Sequence, residues 1–252
     1  MLILDNETVD LDTSTGVMRC RIFRPKDASQ RWPGIILYPE IFHTTGPIAR
    51  AAQTFAGHGF VVAVPESFHE TFEPGTVLTY TPSDTAKGNA CKSNKLLSAW
   101  DSDTAACVGW LQASPHCNGK IGTAGFCLGG GLAFRAALHP GVRAAACWYA
   151  TDLHKGGLSD AHGGDDTLAR IGELAGRVEV LMIYGRQDPH IPLEGRAIMH
   201  AALTTAAVDM QWLEVNGQHA FMRDEHSYGR YDAQLAFFTM QAALALFGRT
   251  LR

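Results

Sequence analysis

Gly125-Phe126-Cys127-Leu128-Gly129-Gly130 is the stretch on which the fold turns. A strand-like run at 120–124 precedes it, and a helix-like run at 132–138 follows. Strand, sharp turn and helix in that order make a nucleophile elbow, here with a thiol where a hydroxyl is commoner. Such a turn holds its central residue in a strained conformation. Its side chain stands off the end of the sheet, beside the N-terminus of the next helix. Strand and helix then cross so closely that the positions two before and two after the nucleophile must be small, which Gly125 and Gly129 are. The competing reading of Cys127 is a small buried core residue in a glycine-rich turn.

Outward from the elbow, short apolar runs alternate with helical patterns, which predicts a mostly parallel sheet with helices on both faces. Strands are expected at 17–23 (early and antiparallel), 34–38, 60–64, 120–124, 142–149, 178–184 and 210–215. Helices are expected at 46–57, 96–113, 194–205 and 228–247. Residues 66–92 show no clear period and read as a long loop or partial lid, and 151–177 as a Gly- and Asp-rich excursion. No repeat or linker divides the 252 residues, so one domain is expected.

Composition narrows the function. With 46% apolar and 18% charged residues the chain is an ordinary globular sequence, not a disordered one. A formal net charge of −4 argues against a nucleic-acid or anionic-membrane surface, since both need basic patches. No apolar run reaches the roughly 18 residues of a spanning helix. The start lacks a basic n-region, and six cysteines without a Cys-x-x-Cys pair read as reduced thiols, so a cytoplasmic protein is expected. The eleven histidines are scattered without a ligand spacing, and neither metal nor cofactor is expected.

Ligands of an open α/β sheet bind at the carboxyl ends of its strands. Cys127, Asp188 and His219 each follow an expected strand, in the order nucleophile, acid, histidine of an α/β-hydrolase triad. His219 would take the thiol proton and return it to the leaving group, while Asp188 would fix the imidazole tautomer. The residue-by-residue alternatives are a turn aspartate before proline and an exposed loop histidine. The backbone N–H of Leu128 is a candidate oxyanion donor, and that of Ile41, in Tyr38-Pro39-Glu40-Ile41-Phe42-His43, is a second. Glu40 beside it would disfavour a thiolate, whereas the helix N-terminus favours one. For Trp148 and Tyr149, at a strand end beside the elbow, pocket lining and core packing are both open.

Gly-Phe-Cys-Leu-Gly-Gly, with Pro-Glu-Ile-Phe upstream and the Asp188 and His219 loops downstream, resembles the dienelactone hydrolase (carboxymethylenebutenolidase) family from about residue 15 to 247. The resemblance implies the α/β-hydrolase fold, a Cys127-His219-Asp188 triad and no cofactor. It also implies that Glu40 contacts the thiol and takes its proton when substrate binds, with Ile41 and Leu128 as the oxyanion hole. Arg223 matches a family arginine that holds the substrate carboxylate. The family's second substrate arginine has no counterpart here, because no arginine lies between Arg50 and Arg135; Lys87, Lys92 and Lys95 are the possible replacements. The expected activity is hydrolysis of a small lactone or ester through a thioester. The alternatives are other acyl-transfer, thioesterase or dehalogenase chemistry on the same scaffold, or a ligand-binding or thiol-sensing protein without turnover. The sequence does not read out an oligomeric state.

Overall fold

Runs with no polar face must be covered on both sides, and they form the middle of the sheet. All 252 residues are described by the computed structural model. Its eight strands are β1 (Ile3–Thr13), β2 (Gly16–Pro25), β3 (Trp32–Tyr38), β4 (Val61–Pro65), β5 (Cys117–Phe126), β6 (Val142–Trp148), β7 (Glu179–Gly185) and β8 (Met210–Val215). They form one sheet in the order β1-β2-β4-β3-β5-β6-β7-β8. The β1–β2 and β2–β4 pairs are antiparallel and the others parallel. Every residue of β4 is buried, as a strand covered on both faces requires.

Six helices complete the fold: α1 (Gly46–Gly57), α2 (Pro82–Asn94), α3 (Leu97–Ala113), α4 (Leu128–Ala136), α5 (Leu193–Thr205) and α6 (Ala233–Thr250). Two glycines show that both faces are covered. Gly34 pairs with Ile121, and a Cβ on it would meet Leu111 of α3 at 3.2 Å. Gly122, the next residue along β5, points the other way and would meet Phe247 of α6 at 2.7 Å. Phe247 also meets Phe55 of α1 edge-on at 5.8 Å, so α1 and α6 share that face. No helix is long and apolar enough to cross a membrane.

Three elements differ from the sequence expectation. β1 was not foreseen, because acidic residues run through it and only Leu11 is buried. Its stability comes from the neighbouring strand: Arg19 lies opposite Asp10 and forks onto it at 2.8 and 2.9 Å, and Arg24 grips Glu7 at 2.7 and 2.6 Å. α2 occupies part of the segment expected to be irregular. Thr81 caps it by accepting from the Asp84 N–H, and Pro82 opens it. It lacks an apolar stripe because it buries only Gly88, whose Cβ would stand 2.5 Å from the Ile41 carbonyl. α6 begins at Ala233 and not at 228, because Asp232 accepts from the Gln234 and Leu235 N–H groups and sets its first turn. The 151–177 excursion carries three short 3₁₀ turns.

The elbow crossing is as close as its sequence requires. A Cβ at Gly125 would lie 2.0 Å from the Gly129 carbonyl oxygen, and one at Gly129 would lie 2.1 Å from that of Tyr38. Both obstacles are backbone, which cannot turn aside. Gly125→Ala and Gly129→Ala should therefore each cost about 3 kcal/mol or more. Urea denaturation should show a lower midpoint at an unchanged slope, or no folded protein at all. A loss under about 1 kcal/mol would show that the crossing can open.

Candidate active site

Cys127 caps α4 with φ 58° and ψ −119°, a conformation that a residue with a Cβ adopts only under constraint. The constraint is hydrogen bonding. Its N–H donates to Trp148 O at 3.1 Å, and its carbonyl accepts from the N–H groups of Gly130 at 3.0 Å and Thr151 at 3.2 Å. Because Gly129 has no side chain, the chain at Tyr38 and Pro39 lies directly against α4. The following turn is held by His43, whose Nδ1–H donates to Thr76 O at 2.9 Å and whose Nε2 accepts from the Phe68 N–H at 3.2 Å. Ile41 and Leu128 are both buried, and neither backbone N–H donates to any group of the protein.

His219 and Asp188 arrive from the ends of two further strands. Gly185 pairs with Val215 at the carboxyl ends of β7 and β8, which sets the two loops side by side. The His219 Nδ1–H donates to Asp188 Oδ2 at 2.7 Å, and the other carboxylate oxygen accepts the His190 N–H at 2.8 Å. The imidazole packs on the Tyr149 ring at 5.0 Å and the His190 ring at 4.6 Å. Burial works against a charge on His219, but the nearby Cys127 charge and the Asp188 hydrogen bond outweigh it and push the histidine up to about 10. Of the groups that favour the imidazolium, the Cys127 sulfur does most.

The third wall carries a buried carboxylate. Glu40 is 5% exposed, its Oε2 has no hydrogen-bond partner, and Arg223 Nη1 stands 3.7 Å away. Burial raises the Glu40 carboxyl above its ordinary range, with Arg223 and His219 opposing. Arg223 is itself buried with an unpaired Nε, and its guanidinium rests 4.4 Å over the Tyr80 ring. A cleft of about 450 Å³ brings Glu40, Ile41, Cys127, Leu128, His219 and Arg223 to one surface. Asp188 lies behind His219, away from that surface.

The remaining residues singled out from the sequence are distributed differently. Trp148 is fully buried, donates its indole N–H to Thr239 Oγ1 at 3.0 Å and does not line the cleft. Tyr149 is also buried, beneath His219 and outside the cleft wall. Of the three lysines only Lys92 reaches the cleft. Lys87 is exposed and pairs with Asp84. Lys95 is buried elsewhere, donating to Asp103 at 2.6 Å and Ser67 O at 2.8 Å, and it is the cation shared by the carboxylates of the His69-Glu70-Asp103 cluster. Tyr80, His190 and Arg230 line the cleft without having been singled out. His190 had a signal in Asp188-Pro189-His190, whereas Arg230 was read as part of a helix that in fact begins after it.

The sequence profile of the Dienelactone hydrolase family matches residues 18–251. The chain belongs to this family. A Saccharomyces cerevisiae protein, named as a candidate carboxymethylenebutenolidase, is 37% identical over 250 residues, covering 96% of this chain and 91% of its own. The carboxymethylenebutenolidase of Pseudomonas putida is 26% identical over 201 residues, or 77% of each chain. Among solved structures, a candidate dienelactone hydrolase of Klebsiella pneumoniae superposes with a TM-score of 0.79 at 22% identity, over 99% of this chain and 100% of that one. The dienelactone hydrolase of Anabaena variabilis does so with 0.64 at 14% identity, covering both chains fully. At these identities the solved structures establish the α/β-hydrolase fold, while the family match makes the protein a dienelactone hydrolase-like hydrolase.

The raised His219 value has a definite pH signature. A folded value near 10 against an ordinary 6.5 means that the His219 proton stabilises the fold fully below about pH 6.5. That stabilisation disappears as the pH rises through about 10. In NMR titrations His219 should stay protonated well above pH 8, and in Cys127→Ala its midpoint should fall, because the largest raising influence is gone. A wild-type midpoint near 6.5, unmoved by the substitution, would mean that no charge pair exists.

Proposed function

We propose that this hydrolase opens a small lactone, or cleaves a small carboxylic ester, through a thioester on Cys127. The observation that carries the reading is the pair of backbone N–H groups at Ile41 and Leu128, without protein partners on residues that line the cleft, beside a cysteine that acts on a His219 anchored by Asp188. An unpaired buried N–H costs roughly 1–3 kcal/mol. Two free donors on residues lining the cleft with Cys127 suit a bound acceptor, such as a carbonyl oxygen gaining charge.

The proposed reaction has two stages, acylation and hydrolysis. The Cys127 sulfur attacks the carbonyl carbon, and the carbonyl π electrons move to an oxyanion held by the two N–H groups. As the tetrahedral centre collapses, the C–O bond to the ring or alcohol oxygen breaks and that oxygen takes the proton of His219. A water then attacks the thioester and gives its proton to the now neutral His219. The sulfur leaves as thiolate, and the product is the free acid. Asp188 keeps Nδ1 of His219 protonated, so that Nε2 faces the reaction. Glu40, whose carboxyl is raised by burial but held back by Arg223 and His219, accepts the thiol proton as substrate arrives and returns it to the sulfur when the product leaves. Arg223, with its Nε unpaired and its guanidinium fixed on Tyr80, binds an acid group of the substrate.

Single-turnover mass spectrometry with an activated ester should show an acyl adduct on Cys127. In Cys127→Ala the adduct should be absent and kcat lower by at least about 10³-fold. Esterase activity that survives Cys127→Ala without any adduct would sink the mechanism.

A further inference from the structure

The cleft carries more positive charge than the mechanism uses. Besides His219, which Asp188 answers, four cations line it, Arg223, Arg230, Lys92 and Lys155, and two carboxylates, Glu40 and Asp152. Asp152 receives both lysines, Lys92 Nζ at 2.8 Å and Lys155 Nζ at 3.0 Å, so one carboxylate answers two ammonium groups. Glu40 stands near Arg223, and Arg230 makes no ion pair with any residue. Each cluster therefore holds one positive charge in excess.

The clusters sit at opposite ends of a roof. Thr85, Asn89 and Lys92 of α2 face the cleft at a spacing of four and three residues, one side of a helix. Arg223 lies under Tyr80, just before the first turn of α2, and Lys92 belongs to the last. From Pro82 to Lys92 the helix axis advances about 15 Å. The nucleophile adjoins both ends. Its carbonyl accepts the N–H of Thr151, the neighbour of Asp152, while the Glu40 loop leaves Tyr38 and Pro39 against Gly129. The lysine cluster is also not needed to hold the roof in place. Ser93 donates to Asp160 and His162 Nε2–H to Asn94 O at 2.9 Å, which already tie the end of α2 to the excursion.

We infer that the substrate carries two acid groups, one bound by Arg223 and Arg230 and the other by Lys92 and Lys155, with the scissile carbonyl between them at Cys127. This rests on the hydrolase reading above. An ester with one acid group would leave one cluster uncompensated in a half-enclosed cleft, and a diacid neutralises both.

The test is calorimetric titration of the full chain at low ionic strength with α,ω-dicarboxylates of four to ten carbons, against monocarboxylates of equal length. At least one dicarboxylate should bind five- to tenfold more tightly than its monocarboxylate, with the advantage shrinking as salt is added. Lys155→Gln leaves the Lys92–Asp152 bridge in place, because Lys155 is largely exposed, and it should bring that ratio close to one. Equal affinities in the wild type, or a ratio untouched by Lys155→Gln, would overturn the inference. An acyl adduct on Cys127 without dicarboxylate preference would refute only the two-acid substrate. Dicarboxylate preference without an adduct would refute only the thioester chemistry.

Discussion

The crossing of β5 and α4 at Gly125 and Gly129 is the constraint on which the rest of the site depends. Backbone meets backbone there with no room for a methyl group. That closeness forces the turn between the two elements into the left-handed region and puts the one residue with a side chain, Cys127, at its apex. It also draws the chain after β3 against α4, and Ile41, Cys127 and Leu128 line one cleft. Four hydrogen bonds to the Cys127 backbone hold the strained turn, from Trp148 at the end of β6, Thr151 just beyond it, and Gly130 and Gly131 in the first turn of α4. The strain is thus maintained by the sheet itself, and no flexible loop has to supply it.

Electrostatics then divides the cleft into three layers. Deepest is Asp188, away from the cleft surface and bonded to His219 and to the His190 N–H. Above it lies His219, where burial opposes an imidazolium and the Cys127 sulfur and Asp188 together more than compensate. Outermost are the cations of the mouth. Glu40 belongs to none of these layers fully. It is buried enough to favour a proton, yet close enough to Arg223 and His219 to be pulled back toward ionisation, as the role proposed for it requires.

Legibility followed the apolar patterning. The strands buried on both faces, and α1, α3 and α5, stand within a few residues of where their periodicity put them, because burial alone selects them. β1 and α2 were not legible for a shared reason: each buries one residue and is held by charge pairs, a cap or one glycine contact, none of which gives a repeating hydrophobic signal. The candidate site was legible where it sits at strand ends, as for Cys127, Asp188 and His219. It was not legible where it depends on a side chain crossing from another segment, as for Tyr80 under Arg223, or for Arg230 in a stretch taken for helix.

By itself, the sequence determined the alternation of strand and helix, the small residues that a close crossing demands, and the order in which Cys127, Asp188 and His219 leave the sheet. These are local facts of covalent spacing and side-chain size. Only the tertiary structure decided which cations face the reaction. Lys92 lines the cleft, Lys95, three residues on, is spent in a buried ion-pair cluster, Trp148 belongs to the core, and Arg230 stands unpaired at the mouth. The reason is physical. A charge acquires its role from the groups packed around it, and those come from segments far away in the chain.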